Sequence, residues 1–134
     1  MGKIILPQIM WLLLTGLILS PSPLRAGDAA ITVTKDQGGR EIALKVGNIL
    51  QIELPGTGGT GYSWSVEEAG APYLKLLDHT TRQLKESLPG GPVMHIWRFK
   101  AEKPGACEIK MAYYRPWEGV GKAADHFQLK LHIE

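Results

Sequence analysis

Apolar and polar residues alternate along most of the chain from residue 31 onwards, and a period of two predicts β-strands. The clearest example is residues 125–133, where Phe127, Leu129, Leu131 and Ile133 are separated by polar residues. Such a strand turns its apolar side chains to one face and its polar side chains to the other. Residues 27–134 contain no sustained helical period. The pattern therefore predicts an all-β fold.

The alternation divides the chain into short strands separated by turn residues at intervals of about 8–12 residues. Residues 73–79 and 80–86 are weaker and form either two strands or one bent strand. We expect seven or eight strands and an immunoglobulin-like β-sandwich. The Cys…Trp…Cys pattern of true immunoglobulin domains is absent, so only the architecture is predicted. Residues 31–34 could form a first short strand, and the other predicted strands cover residues 41–46, 49–54, 62–66, 93–101, 107–114 and 125–133.

Three loops rich in glycine and proline separate these strands, at residues 55–61, 88–92 and 115–122. If residues 73–86 form one bent strand, the loops follow the third, fifth and seventh strands. All three then lie at the same end of the sandwich. If the segment forms two strands, the second and third loops follow the sixth and eighth strands instead. Loops at one end of a rigid scaffold are a common location for binding groups.

The third loop begins with Tyr114, Arg115, Pro116 and Trp117 in succession. Tyrosine, arginine and tryptophan dominate binding hot spots, and proline reduces the entropy lost when a loop is ordered. Because Trp117 follows a proline in a glycine-rich loop, we expect its side chain to be exposed.

The first 26 residues resemble a secretory signal peptide. Lys3 precedes an apolar run over residues 4–19, and the sequence S-P-S-P-L-R-A then ends at Ala26. A membrane anchor is the alternative, but the apolar run is somewhat short for a span of about 20 residues. We therefore predict cleavage after Ala26 and a secreted or periplasmic domain of residues 27–134, with no membrane contact after cleavage.

Charge and cysteine content narrow the possible partners. Loss of Lys3 and Arg25 with the signal peptide leaves equal numbers of basic and acidic residues. A neutral surface argues against binding to nucleic acid or to an anionic membrane. Cys107 is the single cysteine, so the chain has no internal disulfide, and we interpret Cys107 as a core residue. We expect a monomer stabilised by its hydrophobic core.

Candidate catalytic and metal-binding groups are sparse. His126 and His132 are six residues apart on a strand, or about 20 Å, which is too far for one metal ion. His95 lies on an apolar face and is interpreted as a packed histidine. Glu67 and Glu68 point to opposite faces of a strand, so they do not form an acid–base pair. The segment T-G-G-T-G-Y lacks the Lys-Ser/Thr of a phosphate-binding loop. We expect neither an enzyme nor a cofactor.

The three loops together resemble those of the chagasin-type inhibitors of papain-like cysteine proteases. Members carry N-P-T-T-G-[YF]-x-W in the first loop, a glycine pair in the second and R-P-W in the third. Here the loops contain T-G-G-T-G-Y-S-W, P-G-G-P and R-P-W-E in the same order. The resemblance covers essentially residues 27–134. It implies an immunoglobulin-like sandwich whose first loop enters the protease cleft beside the catalytic Cys–His pair, with the other two loops on either side.

The resemblance also implies which residues bind the protease. One departure is that Thr57-Gly58-Gly59 replaces N-P-T. Loss of the proline raises the entropy lost on ordering. We therefore expect a mobile tip at residues 57–59, with weaker binding or a different target. The alternative function is a secreted immunoglobulin-like module that binds a carbohydrate or an envelope protein. The implied protease-binding residues are Thr57, Gly58, Gly59, Thr60, Gly61, Tyr62, Gly90, Gly91, Arg115, Pro116 and Trp117.

Overall fold

A computed structural model describes residue 2 and residues 29–84 and 91–134 of the chain. Within these ranges, eight β-strands form two four-stranded sheets, and the prediction of an all-β, immunoglobulin-like sandwich is confirmed. The predicted signal peptide lies outside the described residues apart from residue 2. The strands are β1 (Ala30–Thr34), β2 (Glu41–Leu44), β3 (Ile49–Thr57), β4 (Ser63–Ala69), β5 (Leu74–Gln83), β6 (Pro92–Ala101), β7 (Gly105–Tyr114) and β8 (Asp125–Ile133).

The first sheet has the strand order β1-β3-β6-β5 and the second has the order β2-β8-β7-β4. Two edge strands are parallel to their neighbours: β1 runs parallel to β3, and β2 runs parallel to β8. The other neighbouring pairs are antiparallel. Alternation identifies a strand but not its partner, so the sequence did not predict these parallel pairs. Two short 3₁₀ turns, Lys35–Gln37 and Val120–Lys122, complete the described elements, and none of these is a helix long and apolar enough to cross a bilayer.

The core lies between the two sheets and consists of apolar side chains from alternate positions of the strands. Leu50, Ile52 and Leu54 of β3 have no exposed surface. On the other sheet the four apolar side chains of β8 are at most 2% exposed. Burying an aliphatic side chain of this size stabilises the fold by about 1.5–3 kcal/mol. Cys107 is half-buried against this core, and its burial raises the pKa of its thiol.

Several strand boundaries differ from the predicted ones. Residues 41–46 were predicted to form one strand, but β2 ends at Leu44 and Val46 is 43% exposed. Strand β3 continues beyond the predicted end at residue 54 and includes Pro55. The pairing of β1 with β3 ends at Glu53, so Pro55 lies beyond that pairing, where a sheet can accommodate a proline. Strand β4 also continues beyond its predicted end, to Ala69. It contains a bulge between Val66 and Glu68 that the alternation did not indicate.

The segment that allowed two interpretations forms one strand. Strand β5 runs continuously over Leu74–Gln83, with an irregularity between Leu76 and Asp78. The three loops therefore follow β3, β5 and β7, which is the order that brings them to one end. Residues 85–90, which include residues 88–90 of the second loop, lie outside the described residues.

Candidate functional site

The first loop is a tight turn between β3 and β4 at residues 58–62. Gly59 and Gly61 have φ angles of 80° and 81°, in the left-handed region that favours glycine. Between them, Thr60 donates a hydrogen bond from Oγ1 to the carbonyl oxygen of Thr57 at 3.1 Å. The same Oγ1 accepts a hydrogen bond from the backbone N–H of Tyr62 at 3.4 Å. The Thr60 side chain therefore closes the loop on itself.

An aromatic cluster holds both ends of the first loop against β7. The backbone N–H of Thr57 donates to the hydroxyl of Tyr113 at 3.0 Å. The Tyr113 ring lies 5.3 Å from the ring of Tyr62 and 5.0 Å from that of Trp64. Trp64 Nε1 donates to the carbonyl oxygen of Pro55 at 2.9 Å. Each aromatic pair of this kind contributes about 0.5–1.5 kcal/mol, so the loop has a rigid base.

The first loop also contacts the second. The backbone N–H of Gly58 donates to the carbonyl oxygen of Gly91 at 3.3 Å. Gly90, the other glycine implicated by the resemblance, lies outside the described residues. Two of the three residues expected to form a mobile tip, Thr57 and Gly58, thus have backbone hydrogen bonds to other parts of the chain. These acceptors are distant in sequence, which is why the loop sequence alone did not reveal them.

Arg115 connects the first loop to the third. Its Nε donates to the carbonyl oxygen of Thr60 at 2.9 Å, and its Nη1 lies 3.1 Å from Oε1 of Glu118. The guanidinium carbon lies 4.4 Å from the centre of the Tyr62 ring, within the range of a cation–π contact. The guanidinium group of Arg115 therefore makes its contacts within its own protein. Sequence reasoning missed Glu118, although its spacing of three residues from Arg115 was the available signal.

Trp117 lies directly against Gly61. A Cβ atom on Gly61 would be 2.2 Å from Cη2 of Trp117, so no other residue fits there without displacing the indole. Trp117 is nevertheless 72% exposed, and the predicted exposure is confirmed. Pro116 precedes it and is also exposed. The indole therefore projects from the molecule with one edge held by the first loop.

The candidate site consists of three parts: the backbone of the glycine-rich first loop, the Arg115 side chain with its ion pair to Glu118, and the exposed ring of Trp117. The described part of the chain contains no group of three or more His, Cys, Asp and Glu side chains suited to hold a metal ion. Hydrogen bonds and close contacts connect the first loop to both of the others. The fold and the site together define a β-sandwich whose first and third loops are in direct contact at one end, the class of scaffold in which loops carry binding function.

Comparison with known proteins identifies the family. Residues 43–131 match the family described as Chagasin family peptidase inhibitor I42, and the chain belongs to this family. It is a family of inhibitors and not of enzymes. The chain is 23% identical to chagasin of Trypanosoma cruzi over 103 residues, which are 74% of this chain and 94% of that protein.

Solved structures share the fold. The cysteine protease inhibitor EhICP2 from Entamoeba histolytica matches with a TM-score of 0.68 and 21% identity, covering 79% of this chain and 96% of the inhibitor. PbICP-C, solved in complex with falcipain-2, matches with a TM-score of 0.51 and 23% identity. That match covers 80% of this chain and all of PbICP-C. At these identities the similarity establishes the fold.

Proposed function

We propose that this protein is a reversible inhibitor of papain-like cysteine proteases that inserts its three loops into the active-site cleft. Family membership supports peptidase inhibition, and two structural relatives are described as a cysteine protease inhibitor and as a complex with falcipain-2. The observation that carries the proposal is the contact of Trp117 with Gly61, which joins the first and third loops into one projecting surface.

The first loop has the shape required to enter a narrow cleft. Glycine at positions 58, 59 and 61 leaves the backbone uncovered, so it can approach another protein closely. Productive substrates bind proteases in an extended conformation, whereas Gly59 and Gly61 have positive φ angles. The turn therefore offers no scissile bond in the register of a substrate, and it occupies the cleft without being cleaved.

Internal contacts reduce the cost of binding. A loop that is already ordered loses less conformational entropy when it enters a cleft. The hydrogen bonds of Thr57 to Tyr113 and of Gly58 to Gly91 order the segment that lacks the proline of the family motif. These contacts offset part of the flexibility introduced by the extra glycines. We infer that the departure from the motif changes the target preference without abolishing inhibition.

Trp117 supplies the apolar anchor of the proposed interface. Residues 27–134 should inhibit papain or a cathepsin reversibly, and Trp117→Ala should weaken inhibition by at least about 2 kcal/mol, or about 30-fold. Val46→Ala is the matched control, because Val46 is also an exposed apolar side chain but lies in the turn before β3, at the opposite end. The absence of inhibition by the wild-type protein at micromolar concentrations across a panel of such proteases would contradict the proposal.

We also propose that residues 1–26 are removed on export and that residues 27–134 act as a monomer in the periplasm or outside the cell. The apolar run before Ala26 supports this proposal. Mass spectrometry of the exported protein should give a chain beginning at Gly27, and light scattering should give the mass of one such chain. Recovery of the full-length chain in the membrane fraction would contradict the proposed export.

A further inference from the structure

Two histidines face each other on the neighbouring strands β5 and β6. The Nε2 atom of His79 lies 3.2 Å from Nδ1 of His95. The two rings are 5.5 Å apart between centres and inclined by 25°. In the antiparallel register, His79 is opposite Trp97, and His95 lies two residues before Trp97 on β6. The two imidazoles therefore come together across neighbouring strands.

The neighbouring residues fix both rings. The His79 ring is stacked on that of Trp97, with 4.4 Å between the centres and an angle of 3°. The His95 ring lies 5.7 Å from the same indole, and its Nε2 occupies space that a Cβ atom at Gly56 would take, 2.8 Å away. Trp97 is itself buried, whereas His79 is exposed. The pair is therefore held in place and open to solutes.

We propose that His79 and His95 form a binding site for a divalent transition metal such as Zn²⁺, Ni²⁺ or Cu²⁺. Imidazole nitrogen is a preferred ligand of these ions, and a Zn–N bond is about 2.0–2.1 Å long. Two nitrogens on one tetrahedral ion are then about 3.3 Å apart, given that bond length. The observed separation of 3.2 Å is close to this spacing.

The two facing nitrogens can both bind a metal ion when each ring is neutral. A metal requires a neutral imidazole with a free lone pair. Each neutral ring keeps one proton, which lies on Nδ1 of His79 and on Nε2 of His95 in the metal complex. The metal replaces the hydrogen bond between the two facing nitrogens, and no net proton is released from neutral rings.

The ligand set predicts an exchangeable site. In the described residues no third His, Cys, Asp or Glu joins the pair, so water completes the coordination shell. A bound ion would link edge strand β5 to β6 and stabilise that edge. Metal binding by His79 and His95 does not depend on protease inhibition, and it can be measured without a protease.

The test is calorimetric titration of untagged residues 27–134 at pH 7.5 with ZnCl₂, NiCl₂ and CuCl₂. We expect one ion per chain, a higher melting temperature with Zn²⁺, and tighter binding of Cu²⁺ than of Zn²⁺. His79→Ala and His95→Asn should each lower the Zn²⁺ affinity at least tenfold. His132→Ala, which removes an exposed histidine of β8, should bind Zn²⁺ like the wild-type protein.

Two results would overturn the site. One is the absence of stoichiometric binding of any of the three ions at concentrations up to about a millimolar. The other is unchanged Zn²⁺ affinity in His79→Ala, which is decisive even if His95→Asn fails to fold, since His79 is exposed on an edge strand. Shifts of the His79 and His95 ring resonances on adding Zn²⁺ would assign the ion to this pair.

Discussion

The indole of Trp117 is in contact with the backbone of Gly61, at a distance that excludes a Cβ atom. Such an atom would lie 2.2 Å from Cη2 of the indole. The T-G-Y of the first loop and the R-P-W of the third are therefore parts of one packed unit. Position 61 favours glycine for two reasons: the indole of Trp117 packs closely against its backbone, and its φ angle is 81°.

Gly61→Ala should raise the inhibition constant about 30-fold. The new methyl group displaces Trp117, which removes the proposed anchor worth about 2 kcal/mol, and an alanine in this conformation is strained by about 1–2 kcal/mol. The inhibition constant against papain is the measurement. Gly39→Ala is the matched control, because Gly39 has a φ angle of 84° but no atom within 4 Å of the added Cβ. Equal effects of the two variants would show that the contact with Trp117 is unimportant.

Arg115→Lys should weaken inhibition about tenfold while leaving the fold intact. Lysine keeps the charge but lacks the planar group that contacts Thr60, Glu118 and the Tyr62 ring together. Loss of one hydrogen bond involving a charged group costs about 1.5 kcal/mol, which is about tenfold in affinity. The inhibition constant and the melting temperature should be measured together.

Arg98→Lys provides the control for the arginine substitution, because Arg98 is an exposed residue of β6 paired with Asp78 at 3.6 Å. It should leave the inhibition constant unchanged. If Arg115→Lys inhibits as well as the wild-type protein, the link between the first and third loops does not position the site.

Tyr113→Phe should raise the inhibition constant about fivefold. The substitution keeps the ring that packs against Tyr62 and Trp64 but removes the hydroxyl that accepts from Thr57. Loss of such a hydrogen bond costs about 1 kcal/mol, which frees the start of the first loop. Tyr73→Phe is the control, because Tyr73 lies before β5 at the opposite end. A loss of inhibition in both variants would point to general destabilisation.

Stability should fall as the pH is lowered below about 6.5, the ordinary pKa of histidine. The pKa values of His79 and His95 are lowered in the folded protein, so the unfolded chain binds more protons in this range. The contribution to stability is complete above the unfolded pKa and is lost as the pH falls through the folded values. Asp78 and Arg98 form an ion pair with each other. Asp78 is next to His79 on β5, and Arg98 is next to Trp97 on β6, so both charged side chains lie on the opposite face of the sheet from the histidines.

Urea denaturation at pH 7.5 and 5.5 without metal tests this expectation. The double substitution His79→Ala with His95→Asn should reduce the difference in the free energy of unfolding between the two pH values. The matched double substitution of His126 and His132 by Asn changes exposed residues of β8 and should retain the difference. A double variant of the His79–His95 pair that keeps the wild-type pH dependence would contradict this account.

The sequence predicted the fold because burial follows alternation directly. Strand β8 has the predicted bounds, and its apolar residues form part of the core. The candidate site was predicted from motifs, and the exposure of Trp117 followed from its place beside Pro116. The contacts that organise the site were not predictable. Arg115 binds a carbonyl oxygen 55 residues away, and no local pattern encodes the partner of a backbone group.

The His79–His95 pair was missed for a related reason. The sequence placed His95 on an apolar face, but it left His79 in the segment of residues 73–86 that allowed two interpretations, so it did not connect the two histidines. The continuous strand β5 brings His79 to the same face as His95 only because of its irregularity between Leu76 and Asp78. That irregularity shifts His79 to the face that carries Trp97.

The most direct test of the central claim is steady-state inhibition of papain by residues 27–134 at several substrate concentrations. If the loops occupy the active-site cleft, the apparent inhibition constant should rise linearly with substrate concentration, and the inhibitor should be recovered uncleaved after dissociation. An inhibition constant that is independent of substrate concentration, or cleavage within residues 57–62, would contradict the proposed mode of binding.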